Sequence, residues 1–162
     1  MSTLDTLFTL ASTSLSPQDP TTCELVYSYL TKATSIVDSI EGANAEEQKQ
    51  ILIANYTRCI SGAFFNAAGA LYKAGKYGHA VRFLNDAAPL AVKAMRQYND
   101  AGDTSEDGVP RNEKDAEVWK THRSQLFKRF ELLAACQSKL SNRKVRLKYR
   151  EWLNFPRLIT VY

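Results

Sequence analysis

The feature that most constrains this chain is the spacing of its apolar residues, which recur at intervals of three and four along most of the sequence. Such intervals place side chains on one face of an α-helix, whereas a half-buried strand alternates every two residues. Alternation of that kind is nearly absent. One such stripe consists of Ile53, Tyr56, Ile60, Phe64, Ala67 and Leu71. The spacing therefore predicts an all-α protein with about six helices.

Gly, Pro, Asn and Asp residues divide these stripes into segments. We expect a cap at Thr21 and Thr22 for the second helix, a cap at Asn44 for the third, and a kink at Pro89 in the fourth. A sixth helix is predicted from Asn142. The predicted organisation is a short helix with a Pro-containing linker over residues 1–20, helical repeat hairpins over 21–99, an acidic flexible loop over 100–114, a second helical hairpin over 115–156 and a tail over 157–162.

Helices three and four carry a repeat-like pattern. Ten of their residues stand at the offsets of a tetratricopeptide repeat: Phe64, Ala67, Ala68, Leu71, Tyr72, Gly75, Tyr77, Ala80, Leu84 and Ala87. The small side chains of Ala68 and Ala80 allow the two helices to approach closely, and Gly75 makes the turn. A weaker copy follows 66 residues later, at Phe130, Leu133, Ala134 and Ser141. The pattern predicts antiparallel helical hairpins stacked as a tetratricopeptide-like array.

The residue types that carry catalysis are few and scattered. The three cysteines, Cys23, Cys59 and Cys136, fit neither a disulfide framework nor a metal motif, and we expect reduced, mostly buried thiols, with Cys59 on a buried helix. His79 and His122 are isolated. No Gly-rich phosphate loop is present. We therefore expect no catalytic residue, no metal and no cofactor, so that this chain is not an enzyme by itself.

Charge is unevenly distributed along the sequence. Residues 1–60 carry three basic and seven acidic residues, whereas residues 139–162 carry seven basic residues and Glu151 alone. The candidate basic surface consists of Arg143, Lys144, Arg146, Lys148 and Arg150. A solvated helix face is the first interpretation of that surface, an acidic partner the second, and nucleic acid, for which no motif is present, the last.

A binding groove is expected on the inner helices of the repeats, and its candidate residues are Asn66, Lys73 and Lys128. Other inner positions, such as Gly62 and Phe65, do not suit an anion, so a clamp for a chaperone's C-terminal carboxylate is not expected. The N-terminus lacks a basic segment and carries Asp5, which disfavours a signal peptide. No apolar run approaches the roughly 18 residues of a membrane span. We expect a cytoplasmic or nuclear protein.

Two blocks of the sequence resemble a known family. The first covers residues 54–95, with the core Arg-Cys-x-Ser-Gly-Ala-Phe at Arg58–Phe64 followed by Gly-Ala-Leu-Tyr and Tyr-Gly-x-Ala-Val-Arg-Phe-Leu. The second is EVWKTHRSQLFKRFELLAACQSKLSNRK with the later pair Phe155-Pro156. Together they resemble the tetratricopeptide-like helical region of fungal separases, over about residues 25–156.

This resemblance implies a function in sister-chromatid separation. Separases are caspase-like-clan cysteine endopeptidases that cleave cohesin and are inhibited by securin. Their helical region precedes the protease domain, whose catalytic His and Cys motifs have no match here. The chain would be a scaffold segment that contacts securin or a similar extended partner, and a fragment, a truncated gene model or a degenerate copy of such a protein. The alternatives are a stand-alone adaptor that binds an unrelated peptide in its groove, and a basic binder of nucleic acid or acidic surfaces.

Overall fold

A computed structural model describes residues 3–41, 47–101 and 113–140 of the 162-residue chain. This part contains five helices and no strand, which confirms the all-α prediction for these residues: α1 (Thr3–Ser14), α2 (Pro20–Glu41), α3 (Glu47–Lys73), α4 (Tyr77–Ala101) and α5 (Glu113–Lys139). The cap predicted at Asn44, most of the acidic loop and the sixth helix lie outside the described residues.

Each of the five helices packs antiparallel against the next one in the sequence. In addition, α1 contacts α3 and α3 contacts α5. Side chains of α2 and α4 meet as well, through hydrogen bonds between residues far apart in the sequence. These contacts place α1, α3 and α5 on one side of the structure and α2 and α4 on the other.

The hairpin of α3 and α4 forms the most extensive contact between two helices. Ala68 and Ala80 are both fully buried, as expected for small residues where two helices approach closely. Three aromatic rings pack edge to face beside them: the ring centroids of Phe64 and Phe83 lie 5.9 Å apart, and that of Tyr27 lies 5.7 Å and 5.3 Å from them. The ring of Tyr27, which belongs to α2, thereby joins that helix to the hairpin of α3 and α4.

The turn between α3 and α4 depends on Gly75, which has a φ of 76°. Its N–H donates to the carbonyl of Tyr72 at 3.0 Å, and the N–H of Lys76 donates to the carbonyl of Leu71 at 2.9 Å. This pair of bonds is the Schellman arrangement, in which a left-handed residue closes the helix and satisfies its last carbonyls. The predicted role of Gly75 is confirmed.

The predicted cap of α2 needs correction. The cap of α2 is Asp19 and not Thr21 or Thr22, because the Asp19 Oδ1 accepts from the backbone N–H of Thr21 at 2.9 Å. Pro20 then occupies the first helical position, where its missing N–H costs nothing. α4 continues through Pro89 as one helix, and Pro89 is exposed. The kink expected at this residue stays a prediction.

Polar side chains connect α2 and α4 along their whole length. Lys93 donates to Asp38 at 2.8 Å and contacts Glu41 at 2.6 Å. The hydrogen bond from Tyr27 to Asp86 raises the pKa of the Tyr27 hydroxyl. Further contacts join Glu24 to Arg82 and Glu41 to Gln97. Because exposed ion pairs contribute at most about 1 kcal/mol each, these bonds set the alignment of α2 on α4 more than the stability.

We expect the substitution Gly75→Ala to lower the free energy of unfolding by about 1 kcal/mol, because a Cβ disfavours the left-handed conformation. No atom lies within 4 Å of the added Cβ, so the loss is conformational and not steric. Gly78→Ala is the matched control, since Gly78 is exposed in the first turn of α4 and has no positive φ. Urea unfolding measures both, and a loss as large in Gly78→Ala would contradict this explanation.

We expect Tyr27→Phe to lower the free energy of unfolding by about 1–2 kcal/mol, because a hydrogen bond to a carboxylate is lost while the ring packing is kept. The control is Tyr29→Phe on the same helix, which we expect to change stability by less than about 0.5 kcal/mol. Tyr29 packs against the same core and makes no hydrogen bond to a described residue. Equal losses in chemical denaturation would show that the bond to Asp86 contributes nothing.

Candidate functional site

The side of α3 that neither α2 nor α4 covers carries a line of exposed and half-buried residues at helical spacing. Its members, which we call the open stripe of α3, are Asn55, Cys59, Gly62, Asn66, Gly69 and Lys73. Most of these side chains are small or polar, whereas the opposite side of the helix carries the buried Ile60, Phe64 and Leu71. The open stripe is therefore the part of α3 available to a partner.

A groove separates α1 from the open stripe of α3. It has a volume of about 680 Å³, and Phe8, Ala11 and Leu15 line its α1 side. Its α3 side includes Gly62 and Ala63, whose small size leaves the space unfilled. We call this space the α1–α3 groove. Its largely apolar lining suits the side chains of an extended peptide better than a charged small molecule.

On the other side of the open stripe, a buried arginine joins α5 to α3. The side chain of Arg129 is only 3% exposed. Its Nε donates to the Ser61 Oγ at 2.8 Å, and its Nη1 donates to the carbonyl of Gln125 at 2.6 Å. The Ser61 hydroxyl in turn donates to the carbonyl of Ala87 at 2.5 Å. The guanidinium carbon also lies 5.1 Å from the ring centroid of Phe65. All these partners are neutral.

The charge of Arg129 has no acidic counterpart among the described residues, whose ion pairs lie elsewhere. Its charged neighbour is a second arginine, Arg58. Burial and then repulsion by Arg58 lower the pKa of Arg129 to about 10. The Nε of Arg58 is itself buried and has no hydrogen-bond partner. The two guanidinium groups form what we call the arginine pair, a positive site with unused donors.

A third basic side chain lies beside the arginine pair. His122 is buried, and its ring packs edge to face on Tyr98 with centroids 5.6 Å apart. Burial, followed by repulsion from Arg58 and Arg129, lowers the pKa of His122 to about 4. The imidazole is therefore neutral at pH 7, and the positive charge of the site comes from the two arginines.

The structure places the candidates predicted from the sequence as follows. Asn66 is exposed and lines the α1–α3 groove, whereas Lys73 is exposed in the last turn of α3. Lys128 is exposed on α5, next to Arg129 in the sequence. No hydrogen bond or ion pair joins these three described residues. The candidates Arg143, Lys144, Arg146, Lys148 and Arg150 lie outside the described residues.

Two features of the site were not foreseen. Cys59, expected to be buried, is exposed and lines the groove, because it lies on the side of α3 opposite the hairpin contact. The second feature is the buried Arg129, which is not among the candidate residues predicted from the sequence. Its signal was nevertheless present, since the positions 122, 126, 129, 133 and 136 follow each other at intervals of four and three and carry mostly buried side chains. A charged residue inside a buried stripe indicates a specific partner or site.

Other kinds of site are not found in the described part of the chain. It contains no group of three or more potential metal ligands. None of its helices is both long and apolar enough to cross a membrane. Comparison with protein-family models, curated proteins and solved structures gave no match.

We expect His122 to reduce stability in acid. Its folded pKa lies near 4, below the unfolded value of about 6.5, so the unfolded state takes up the proton first as the pH falls. The stability of the wild type should fall, relative to His122→Gln, by about 3 kcal/mol between pH 6.5 and pH 4.

Urea unfolding at a series of pH values measures this difference, in which the titration of all other groups cancels. His79→Gln is the control, because His79 is only half-buried in the first turn of α4. A difference between the wild type and His122→Gln that stays constant across this pH range would show that His122 is not held neutral.

Proposed function

We propose that this chain is a helical scaffold that binds an extended segment of a partner protein along the face formed by α1, α3 and α5. The observation that carries the proposal is the α1–α3 groove, an unfilled and mainly apolar space of about 680 Å³ on the open stripe of α3. An extended peptide can place alternate side chains in such a groove.

The thiols of the described residues support binding rather than catalysis. Cys23 and Cys136 are buried, and burial raises the pKa of both, that of Cys136 to about 11. A nucleophilic cysteine requires the opposite shift and access for the substrate. Cys59 has access, but it lies in the middle of α3, away from the helix N-terminus that would favour a thiolate. We therefore assign this chain no catalytic step of its own.

We further propose that the hairpins are units of a tetratricopeptide-like array and that the array is the scaffold of a separase-like protein. Support comes from the Arg-Cys-x-Ser-Gly-Ala-Phe core at Arg58–Phe64, whose residues have distinct positions in the fold. Phe64 packs in the core, Ser61 connects three helices, and Cys59 and Gly62 line the groove. In this function the protease domain is a separate part, the partner is a securin-like inhibitor, and the location is cytoplasmic or nuclear.

The second candidate is a stand-alone adaptor that binds an unrelated peptide in the same groove. The same observation supports it, since an apolar groove does not identify its ligand. Binding of nucleic acid through the basic C-terminal residues differs in its dependence on salt. The affinity of a protein that neutralises phosphates falls steeply as the salt concentration rises, whereas the affinity of apolar binding in a groove does not.

The exposed thiol of Cys59 provides a direct test. A fluorescent maleimide should label Cys59 much faster than Cys23 or Cys136, because those two are buried. A purified securin-type protein at about ten times its Kd should slow the labelling of Cys59 by about tenfold. Asn66→Trp, which fills the groove, should prevent binding, whereas Lys32→Trp on the exposed side of α2 should not.

The outcomes separate the candidates. Protection of Cys59 by a securin-type protein, lost in Asn66→Trp, supports the separase-like scaffold. Protection by selected peptides but not by a securin-type protein supports the adaptor. Binding that is equal in Asn66→Trp and Lys32→Trp would contradict any function of the α1–α3 groove.

A further inference from the structure

The arginine pair lies next to the α1–α3 groove, and Gly62 belongs to both. Gly62 lines the groove. A Cβ built on Gly62 would lie 3.9 Å from Nη2 of Arg129, so the third nitrogen of that guanidinium points toward Gly62. The other two nitrogens already donate to Ser61 and Gln125. The free end of Arg129 therefore faces the side of α3 on which the groove opens.

Arg58 belongs to the same face, because it precedes Gly62 by four residues, about one turn of α3. Its Nε is buried without a hydrogen-bond partner, although such a group normally has one. It also lies near enough to Arg129 and His122 for repulsion to lower the pKa of both. Without a ligand, two guanidinium groups thus repel each other while some of their donors stay unused.

An anion placed between the two arginines would remove both unfavourable features, the repulsion between the guanidinium groups and the unused hydrogen-bond donors. It would accept the unused hydrogen bonds, and it would neutralise like charges in a place of low polarity where electrostatic interactions are strong. The surroundings favour a carboxylate over a phosphate. They are apolar and neutral, with Phe65 and Gly62 nearby, so that a doubly charged and strongly hydrated phosphate would cost more to bury.

We propose that Arg58 and Arg129 bind the carboxylate of an Asp or Glu side chain that belongs to the segment in the α1–α3 groove. This inference rests on the proposed function, because the groove holds the rest of that segment. Gly62 adjoins both the α1–α3 groove and the arginine pair. In the partner segment, the acidic residue therefore lies within about three residues of an apolar one, given a rise of about 3.3 Å per extended residue. The partner is thus a short acidic and apolar motif.

The experiment uses a set of fluorescein-labelled ten-residue peptides with blocked ends. Each carries one Leu, and one Glu stands at one, two, three or four positions from it on either side in a Gly/Ser background. Every peptide has a partner in which Gln replaces Glu. Fluorescence polarisation with the full chain should show one spacing at which the Glu peptide binds about tenfold more tightly than the Gln peptide.

Substitutions then locate the acidic contact. Arg58→Gln should remove the preference for Glu and leave the affinity for the Gln peptide unchanged. Lys128→Gln is the matched control, because it removes the same charge from an exposed position on α5. It should change affinity by less than about twofold. Asn66→Trp should weaken binding of both peptides, because it blocks the groove.

Stability provides a second readout that a merely structural role of Arg58 would not give. Removing one of two repelling charges should leave the Tm of the free Arg58→Gln variant unchanged or raise it by a few degrees. If Arg58 were a structural link between α3 and α5, the same substitution would lower the Tm. A lowered Tm together with an intact preference for Glu would overturn the assignment of Arg58.

Three other results would also overturn the inference. They are equal binding of Glu and Gln peptides, equal losses in Arg58→Gln and Lys128→Gln, and the absence of binding by every peptide. The first two leave peptide binding in the groove intact, so they differ from a failure of the proposed function, in which nothing protects Cys59. Inorganic phosphate is tested separately, and an Arg58-dependent rise in Tm with phosphate but not with acetate would assign the pair to a phosphate ligand instead.

Discussion

The close contact between α3 and α4 is the interaction on which the other helices depend. Ala68, Ala80 and Ala87 are fully buried, and with no side chain beyond a methyl group they let the two backbones approach closely. The approach is close enough for the Ser61 hydroxyl of α3 to donate to the backbone carbonyl of Ala87 in α4 at 2.5 Å. Larger residues at these positions would separate the helices and remove the surface on which α2 and α5 pack.

The two neighbouring helices use this hairpin in different ways. α2 attaches through an aromatic ring, Tyr27, which packs on Phe64 of α3 and Phe83 of α4. α5 attaches partly through a charge, because Arg129 donates to the same Ser61 hydroxyl that bonds to α4. The apolar packing of α2 requires no charge to be desolvated. Burial of the Arg129 guanidinium does, and hydrogen bonds to neutral partners offset that loss of free energy only in part. The attachment of α5 is therefore the polar one, and its buried charge indicates a candidate binding site.

The sequence was sufficient to predict the features that depend on local chemistry. The apolar periodicity predicted the five described helices. Gly75 predicted the turn between α3 and α4, because few other residues adopt a positive φ. The cap at Asp19 was missed because Thr21 and Thr22 offer similar oxygens two positions later. The expectation that Cys59 is buried was wrong because it relied on the apolar neighbour Ile60. Adjacent helical residues point about 100° apart and need not share an environment.

The site itself was less predictable, for a physical reason. The α1–α3 groove is a space that two helices leave open beside the place where they touch, so it depends on how α1 sits on α3, which no local pattern encodes. Asn66 is predicted as a binding residue from its inner repeat position, and this stays a prediction; in the structure its side chain lines the α1–α3 groove. The residue type of Arg129 does not indicate a buried position, because charged residues are normally exposed. Its position on a buried stripe can be read from the sequence, but the lack of an acidic partner among the described residues cannot.

The arginine pair connects stability with binding in this protein. With a carboxylate bound as we propose, both charges would be compensated, so the free energy lost by burying Arg129 near Arg58 would be lost only in the free state. A ligand that binds only the folded chain stabilises it by mass action, and here the stabilised contact is the one that holds α5 to α3. A partner with a carboxylate would thus hold α5 in place as well as occupy the groove. In the proposed binding mode, the repulsion that weakens the free protein would be the source of a preference for an acidic partner.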